Sequence, residues 1–333
     1  LKAEVTHAHH RRHGAGMRDR VFAHVDTLAR WGSAFAPATN WFPKLPGARH
    51  LLERGLGIAR ERSLPTFERE TLRDWFKRRG GSAVSPVDAE RSALLFPDTY
   101  TNYSHPGVGK AAVRVLEAAD VRVALADRTD SGRPAFSKGF LEAARTTALE
   151  NVEALAPAVA DGWDVVLVEP TDAVMFQSDY LDLLSGRAVE TVAANTYGIC
   201  EYLDVFGLLC GIDFDVPIDA VAYHGHCHQK ATKKDHHAVG LLLRAGYEVD
   251  PLDSTCCGMA GSFGYEAEHY AMSRAIGELL FEQIGDSAGS VVTAPGASCR
   301  TQLGDADFGA DVPGVASSSE EPPTPIELLA AGL

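Results

Sequence analysis

Residues 220–230 read Ala220-Val-Ala-Tyr-His-Gly-His-Cys-His-Gln-Lys230. Four residues suited to a short buried strand run straight into a loop of three histidines and one cysteine. A helical pattern over 233–245 follows, and then a second apolar run over 247–249. Strand, helix, strand in that order implies parallel pairing with a right-handed crossover. Downstream the order continues with a helix over 265–284 and a strand over 290–293. Upstream it has already been played once: strand 93–96, a helix from Pro106 through 111–119, strand 121–125, helix 135–156 and strand 164–168. The fold class is therefore α/β, as tandem pseudo-symmetric repeats with parallel sheets. A helical arm over 1–85 precedes them, and the repeats span 86–215 and 216–333.

The loops that leave the strands carry the repeat in a chemically altered form. Asp130-Ser131-Gly132 corresponds to Cys256-Cys257-Gly258 at an offset of 126 residues. The same offset places Cys227 on Thr101, and Cys299 on Ala173 beside Asp172. Open parallel sheets bind ligands at the carboxyl ends of their strands. Three adjacent loops can thus bring Cys227, Cys256, Cys257 and Cys299 to one centre, where four thiolates suit either an iron–sulfur cluster or tetrahedral zinc. Gaps of 28 and 41 residues between these cysteines are too long for a local zinc knuckle, but each spans about one βα unit. His224, His226 and His228 flank the first thiol and could tune a cluster, accept protons or replace a thiolate. Gly258 and the glycines to Gly264 permit close backbone approach, with amides that can donate to sulfur. The string lacks the Lys-Ser/Thr ending of a phosphate-binding P-loop. Cys200 and Cys210, in an apolar stretch, read as buried free thiols.

Composition sets the surroundings. Across 333 residues, 45% are hydrophobic and 23% charged, which excludes wholesale disorder, and the length suits about two domains. Six cysteines between 200 and 299 do not make a disulfide scaffold and fit a reducing, cytoplasmic setting. No apolar run reaches the ~18 residues of a membrane span. Residues 1–80 hold 16 Lys/Arg against 8 Asp/Glu, while the remainder is acidic enough to bring the net charge to −14. A basic arm on an acidic body argues against nucleic acid as the partner. It leaves an acidic protein surface, or peripheral association with anionic lipid, as places for the arm to dock. The plainer reading is an arginine-rich solvated segment, and His7, His9, His10 and His13 lack metal-ligand spacing. A chain that begins at Leu1 rather than Met reads as a piece of a longer polypeptide.

Three stretches resemble a known family: His224 to Lys230, the run Cys256-Cys-Gly-Met-Ala-Gly-Ser-Phe-Gly-Tyr-Glu266, and Ala294-Pro-Gly-Ala-Ser-Cys299. They resemble the cysteine-rich CCG domain found in heterodisulfide reductase, in the iron–sulfur subunit of anaerobic glycerol-3-phosphate dehydrogenase and in lactate-oxidising complexes. The order of segments is most similar to the C-terminal part of large FAD-linked oxidases of the D-lactate dehydrogenase type. The resemblance implies an iron–sulfur electron-transfer module, with FAD and ferredoxin-like domains upstream or on another subunit and an acceptor not specified. It implies Cys227, Cys256, Cys257 and Cys299 as ligands of a 4Fe–4S cluster, with His226, His228 and Gly258 around them. In the first repeat the family's thiols are replaced at Asp130, Ser131 and Asp172, so no cluster is expected there. Arg133 and Lys138 are placed to pair with those carboxylates or with a carboxylate substrate. Two other chemistries share the residues: a zinc-binding assembly scaffold, and an enzyme using Cys256 or Cys257 as nucleophile with a histidine of 224–228 as base.

Overall fold

The computed structural model describes residues 1–254, 256–289, 291–309, 312–315 and 321–333. Two small sheets carry the α/β design. The first contains β1 (Arg91–Phe96), β2 (Val121–Leu125), β3 (Asp164–Leu167) and β4 (Thr196–Gly198), in the order β2-β1-β3-β4. The second contains β5 (Ala220–Tyr223), β6 (Glu248–Pro251) and β7 (Val291–Thr293), in the order β6-β5-β7. β1 pairs in parallel with β2 and β3, and β5 does the same with β6 and β7. In both sheets the first strand of the repeat is central and the next two flank it, so the two halves share one strand order.

The strands form where the sequence concentrates apolar residues bounded by polar turns. Leu95, Phe96, Val165, Val166 and Leu167 are almost wholly buried, as parallel strands covered on both faces require. One core packs Phe96, Val165, Leu167, Phe176 and Tyr180 against the helix Leu141–Ala160. A second packs Ala222, Val292, Leu280, Met259 and Leu303 together with two of the cysteines, Cys257 and Cys299.

Several boundaries differ from the sequence expectations, for identifiable reasons. The helix expected over 135–156 is two, Arg133–Ser137 and Leu141–Ala160. The break falls at Gly139, whose φ of +74° lies in the left-handed region and whose Cα faces Thr6 too closely for any side chain. The helix expected from residue 265 begins at Tyr270, after a 3₁₀ turn at Phe263–Tyr265. The strand expected over 290–293 is Val291–Thr293; residue 290 lies outside the described residues. Cys210 corrects the expectation of two buried thiols. The helix Ile199–Val205 ends before it, so it is exposed, whereas Cys200 on that helix is buried. Burial and the nearby Asp204 push the Cys200 thiol up to about 12, which makes it inert.

Contacts gather residues 1–44, 66–106 and 121–197 into one compact unit and 45–65, 107–120 and 198–333 into another. The arm is therefore shared out between units, and it is not simply a solvated segment. Arg62 is fully buried. Its Nε donates to Gly264 O at 3.0 Å, Nη1 to Gln302 Oε1 at 2.6 Å and to Asp305 Oδ2 at 2.8 Å, and Nη2 to Ser273 Oγ at 3.1 Å. Its guanidinium also lies 5.0 Å from the centre of the Tyr270 ring.

Candidate metal centre

β5 delivers the first donor. The strand's pairing continues one residue past its end, where His224 N–H donates to Thr293 O at 2.9 Å. That bond fixes His224 at the carboxyl edge of the sheet with a side chain only 1% exposed. Its Nδ1 lies 2.6 Å from Ser254 Oγ in a hydrogen bond, and its Nε2 is buried with no hydrogen-bond partner among the described residues. Burial, then Lys230 and His226, lowers the ring's pKa to about 3, so the imidazole is neutral.

Cys257 comes from the loop after β6, and Cys299 from the helix Ala297–Gly304 that follows β7. One donor atom each from His224, Cys257 and Cys299 lies within 4.8 Å of the other two, and all three residues are buried. Cys256 is half-buried beside them. It is hydrogen-bonded to Cys257, and the Gly258 amide donates to its Sγ at 3.3 Å. That bond to Cys257 and then burial raise the Cys256 thiol. The Cys256 bond alone would lower the Cys257 thiol, but a bond with Cys299, together with burial, lifts it well above the ordinary value. Cys227 opens the short helix Cys227–Ala231, half-buried, and lies outside the three-donor group. His226 caps that helix: its Nδ1 accepts from the His228 amide at 3.2 Å. The structure thus brings Cys256, Cys257 and Cys299 together and adds His224, which in the sequence is only one of three similar histidines.

Glycine makes room for this arrangement. Gly258 has φ +92°, and a Cβ there would sit 2.2 Å from the Ser273 carbonyl oxygen. A Cβ on Gly296 would fall 2.5 Å from the His226 ring. Thiols can be ordinary core residues, but a buried imidazole nitrogen without a partner costs about 1–3 kcal/mol. Convergent sulfurs, donating amides and the orphaned His224 nitrogen together fit a metal or cluster that takes up lone pairs and displaces protons.

A family model for the cysteine-rich CCG domain matches residues 221–304. This segment is similar to that domain. The likeness to whole proteins runs further along the chain. One subunit of the anaerobic glycerol-3-phosphate dehydrogenase of Escherichia coli is 28% identical over 298 residues, covering 86% of this chain and 72% of that protein. The D-2-hydroxyglutarate dehydrogenase of Escherichia coli is 25% identical over 318 residues, covering 91% of this chain but 30% of that protein. Lactate utilization protein A of Shouchella clausii is 26% identical over 185 residues, covering 51% and 72%. The chain therefore spans under a third of the hydroxyglutarate enzyme. Through relatives that are dehydrogenases or their subunits, it is an oxidoreductase component.

The first repeat fills the equivalent place with hydrogen bonds. Gly132 N–H donates to Asp130 Oδ1 at 2.8 Å, as Gly258 does to Cys256, so the turn survives where the thiol does not. Ser131 donates to Asp172 Oδ1 at 2.6 Å, and Tyr180 to Ser131 O at 2.8 Å. Arg133 pairs with Asp179, and Lys138 with Asp19 at 3.1 Å, rather than with Asp130 or Asp172. Asp98, 126 residues before His224, accepts from the Tyr100 and Thr101 amides at 3.0 Å.

Burial, with help from Glu169, raises the Asp98 carboxyl to about 6. Burial and then Asp98 and Glu169 raise Asp172 well above its usual range. A carboxyl raised on folding stabilises the protein while it holds its proton. The contribution is complete below about pH 4 and is lost as pH rises through about 6. Asp98→Asn keeps an acceptor for both amides and cannot ionise. The variant is expected to gain on the order of 2–3 kcal/mol over the parent at pH 7.5 and little at pH 4, by urea denaturation across that range. An equal difference at both pH values would contradict a raised Asp98 carboxyl.

Proposed function

We propose that this chain is the iron–sulfur electron-transfer module of an FAD-linked dehydrogenase acting on a 2-hydroxy acid of the D-lactate kind. In this reading Cys227, Cys256, Cys257 and Cys299 hold a 4Fe–4S cluster, and electrons arrive from a flavin on an upstream domain or partner. The observation that carries the proposal is the meeting of three cysteines from two loops, Cys256 and Cys257 after β6 and Cys299 after β7, at one sheet edge. When bound, such a cluster supplies one-electron transfer with small changes of geometry. The chain's own residues exclude water from the sulfurs, donate amides toward them and fix their spacing. Two relatives named for hydroxyglutarate and lactate support the substrate class.

The arm suits a docking role at a partner or a membrane face. Trp31 and Phe35 stack with ring centres 5.8 Å apart, and both are exposed, as are Trp41 and Phe42. No helix among the described residues is long and apolar enough to cross a membrane.

Zinc is the second reading, because a mixed set of sulfur and imidazole donors also suits a closed tetrahedral site. Raised thiols at Cys256 and Cys257 count against a nucleophilic cysteine, which needs a lowered one. The test uses both repeats. Cys256→Ser is expected to remove most of the iron from anaerobically purified protein, and Ser131→Ala to leave iron content unchanged. Iron loss in the Ser131 variant would show that the first repeat also ligates metal.

A further inference from the structure

We infer that His224, through Nε2, is a direct nitrogen ligand of the centre in the place given above to Cys227, which lies outside the three-donor group, and that Ser254 holds its ring in place. The inference deepens the iron–sulfur reading and rests on it. Three observations converge. The ring shares a buried space with the Cys257 and Cys299 sulfurs, with donor atoms within 4.8 Å. Its Nδ1 is taken by Ser254 Oγ at 2.6 Å, which fixes the ring plane and directs Nε2 as the free donor. Nε2 is buried and has no hydrogen-bond partner among the described residues. Metal-bound histidines commonly have this form, with one nitrogen on the metal and the other held by a polar group.

Neighbouring His226 is bound differently. His226 spends its Nδ1 on capping the helix Cys227–Ala231, and its ring packs where Gly296 leaves space. Ser254 is itself buried, and Lys230 Nζ donates to its carbonyl oxygen, so the orienting hydroxyl sits on an anchored backbone. The first repeat has a carboxylate near the corresponding place, with Asp98, 126 residues before His224 and two residues past β1, turned into its own loop cluster.

A neutral imidazole adds no negative charge where a thiolate would add one. A centre ligated in this way is less negative and easier to reduce than one held by thiolates alone. His224 therefore sets the potential of the centre as well as helping to hold it.

The test is pulsed electron paramagnetic resonance on the full chain, purified anaerobically and brought to its paramagnetic state with dithionite or ferricyanide. Iron and acid-labile sulfide are measured on the same samples. Protein carrying ¹⁵N-histidine should show a strongly coupled nitrogen that changes with the label. His224→Gln should lose that coupling, and the exposed His236→Gln should keep it. His224→Cys, if it holds iron, should titrate at a lower potential than the parent. Iron and sulfide without any strongly coupled histidine nitrogen would overturn the inference and leave the iron–sulfur reading standing. Absence of iron and sulfide from the parent would overturn the reading and the inference together. Failure of the His224 variants to fold leaves the labelled parent to decide.

Discussion

Arg62→Ala is expected to destabilise the unit containing the cysteine-rich segment by about 3–5 kcal/mol, the usual consequence of removing one partner from a buried ion pair. The reason lies in what the guanidinium joins. One side chain binds the end of the glycine loop at Gly264, the helix Tyr270–Asp286 at Ser273, and the helix Ala297–Gly304 at Gln302. Cys257 lies in the loop just before Gly264 and Cys299 in the last of these helices, so the same interactions set the spacing between two donors. Alanine would leave Asp305 and three further acceptors facing a void. Arg62→Lys should recover only part of the loss, because an ammonium cannot present a planar fork to several separate acceptors. Urea denaturation of the full chain reads the effect as a lower midpoint at similar slope. A loss below about 1 kcal/mol would show that the network is not needed.

The second large effect concerns Gly258. Two penalties fall together there: a left-handed φ of +92°, and a Cβ position 2.2 Å from the Ser273 carbonyl oxygen. Backbone opposes backbone, so no side-chain rotation relieves the clash. Gly258→Ala should cost about 4 kcal/mol or more, in the range reserved for named structural disruptions, and metal content should fall with it. Gly261 provides the control. It has φ +66° but open space around its Cβ position, so Gly261→Ala should cost about 1–2 kcal/mol from backbone conformation alone. Equal losses at the two sites would mean that close approach to Ser273 does not shape the loop.

Much of the architecture can be read from the chain because both repeats use the same physical signals. β2 and β5 have the expected bounds, since short apolar runs flanked by turns admit few alternatives. The parallel pairing follows from the alternation of strands and helices, whereas the strand order is visible only in the structure. The segment from Pro170 to Val205 is harder to read. A π turn at Met175–Asp179 and a glycine at 186 interrupt its helices, so no long 3.6-residue rhythm develops.

The site divides in the same way. Adjacent Cys256 and Cys257 and the distant Cys299 stand out by type and spacing. His224 does not, because three histidines within five residues look alike until a strand end turns one of them inward. Its signal is position, directly after Tyr223 at the end of an apolar run. Arg62 is harder still. Its partners lie more than 200 residues away, and in sequence it is one cation among many in a basic arm.

The central claim is tested most directly by iron K-edge X-ray absorption on anaerobically purified protein, with zinc and acid-labile sulfide measured on the same sample. The account predicts iron in a sulfur-dominated shell at the distances of a cluster, with sulfide roughly matching iron. Zinc in a closed sulfur–nitrogen shell with no sulfide, or protein free of any metal whose thiols all react with alkylating reagent, would contradict it.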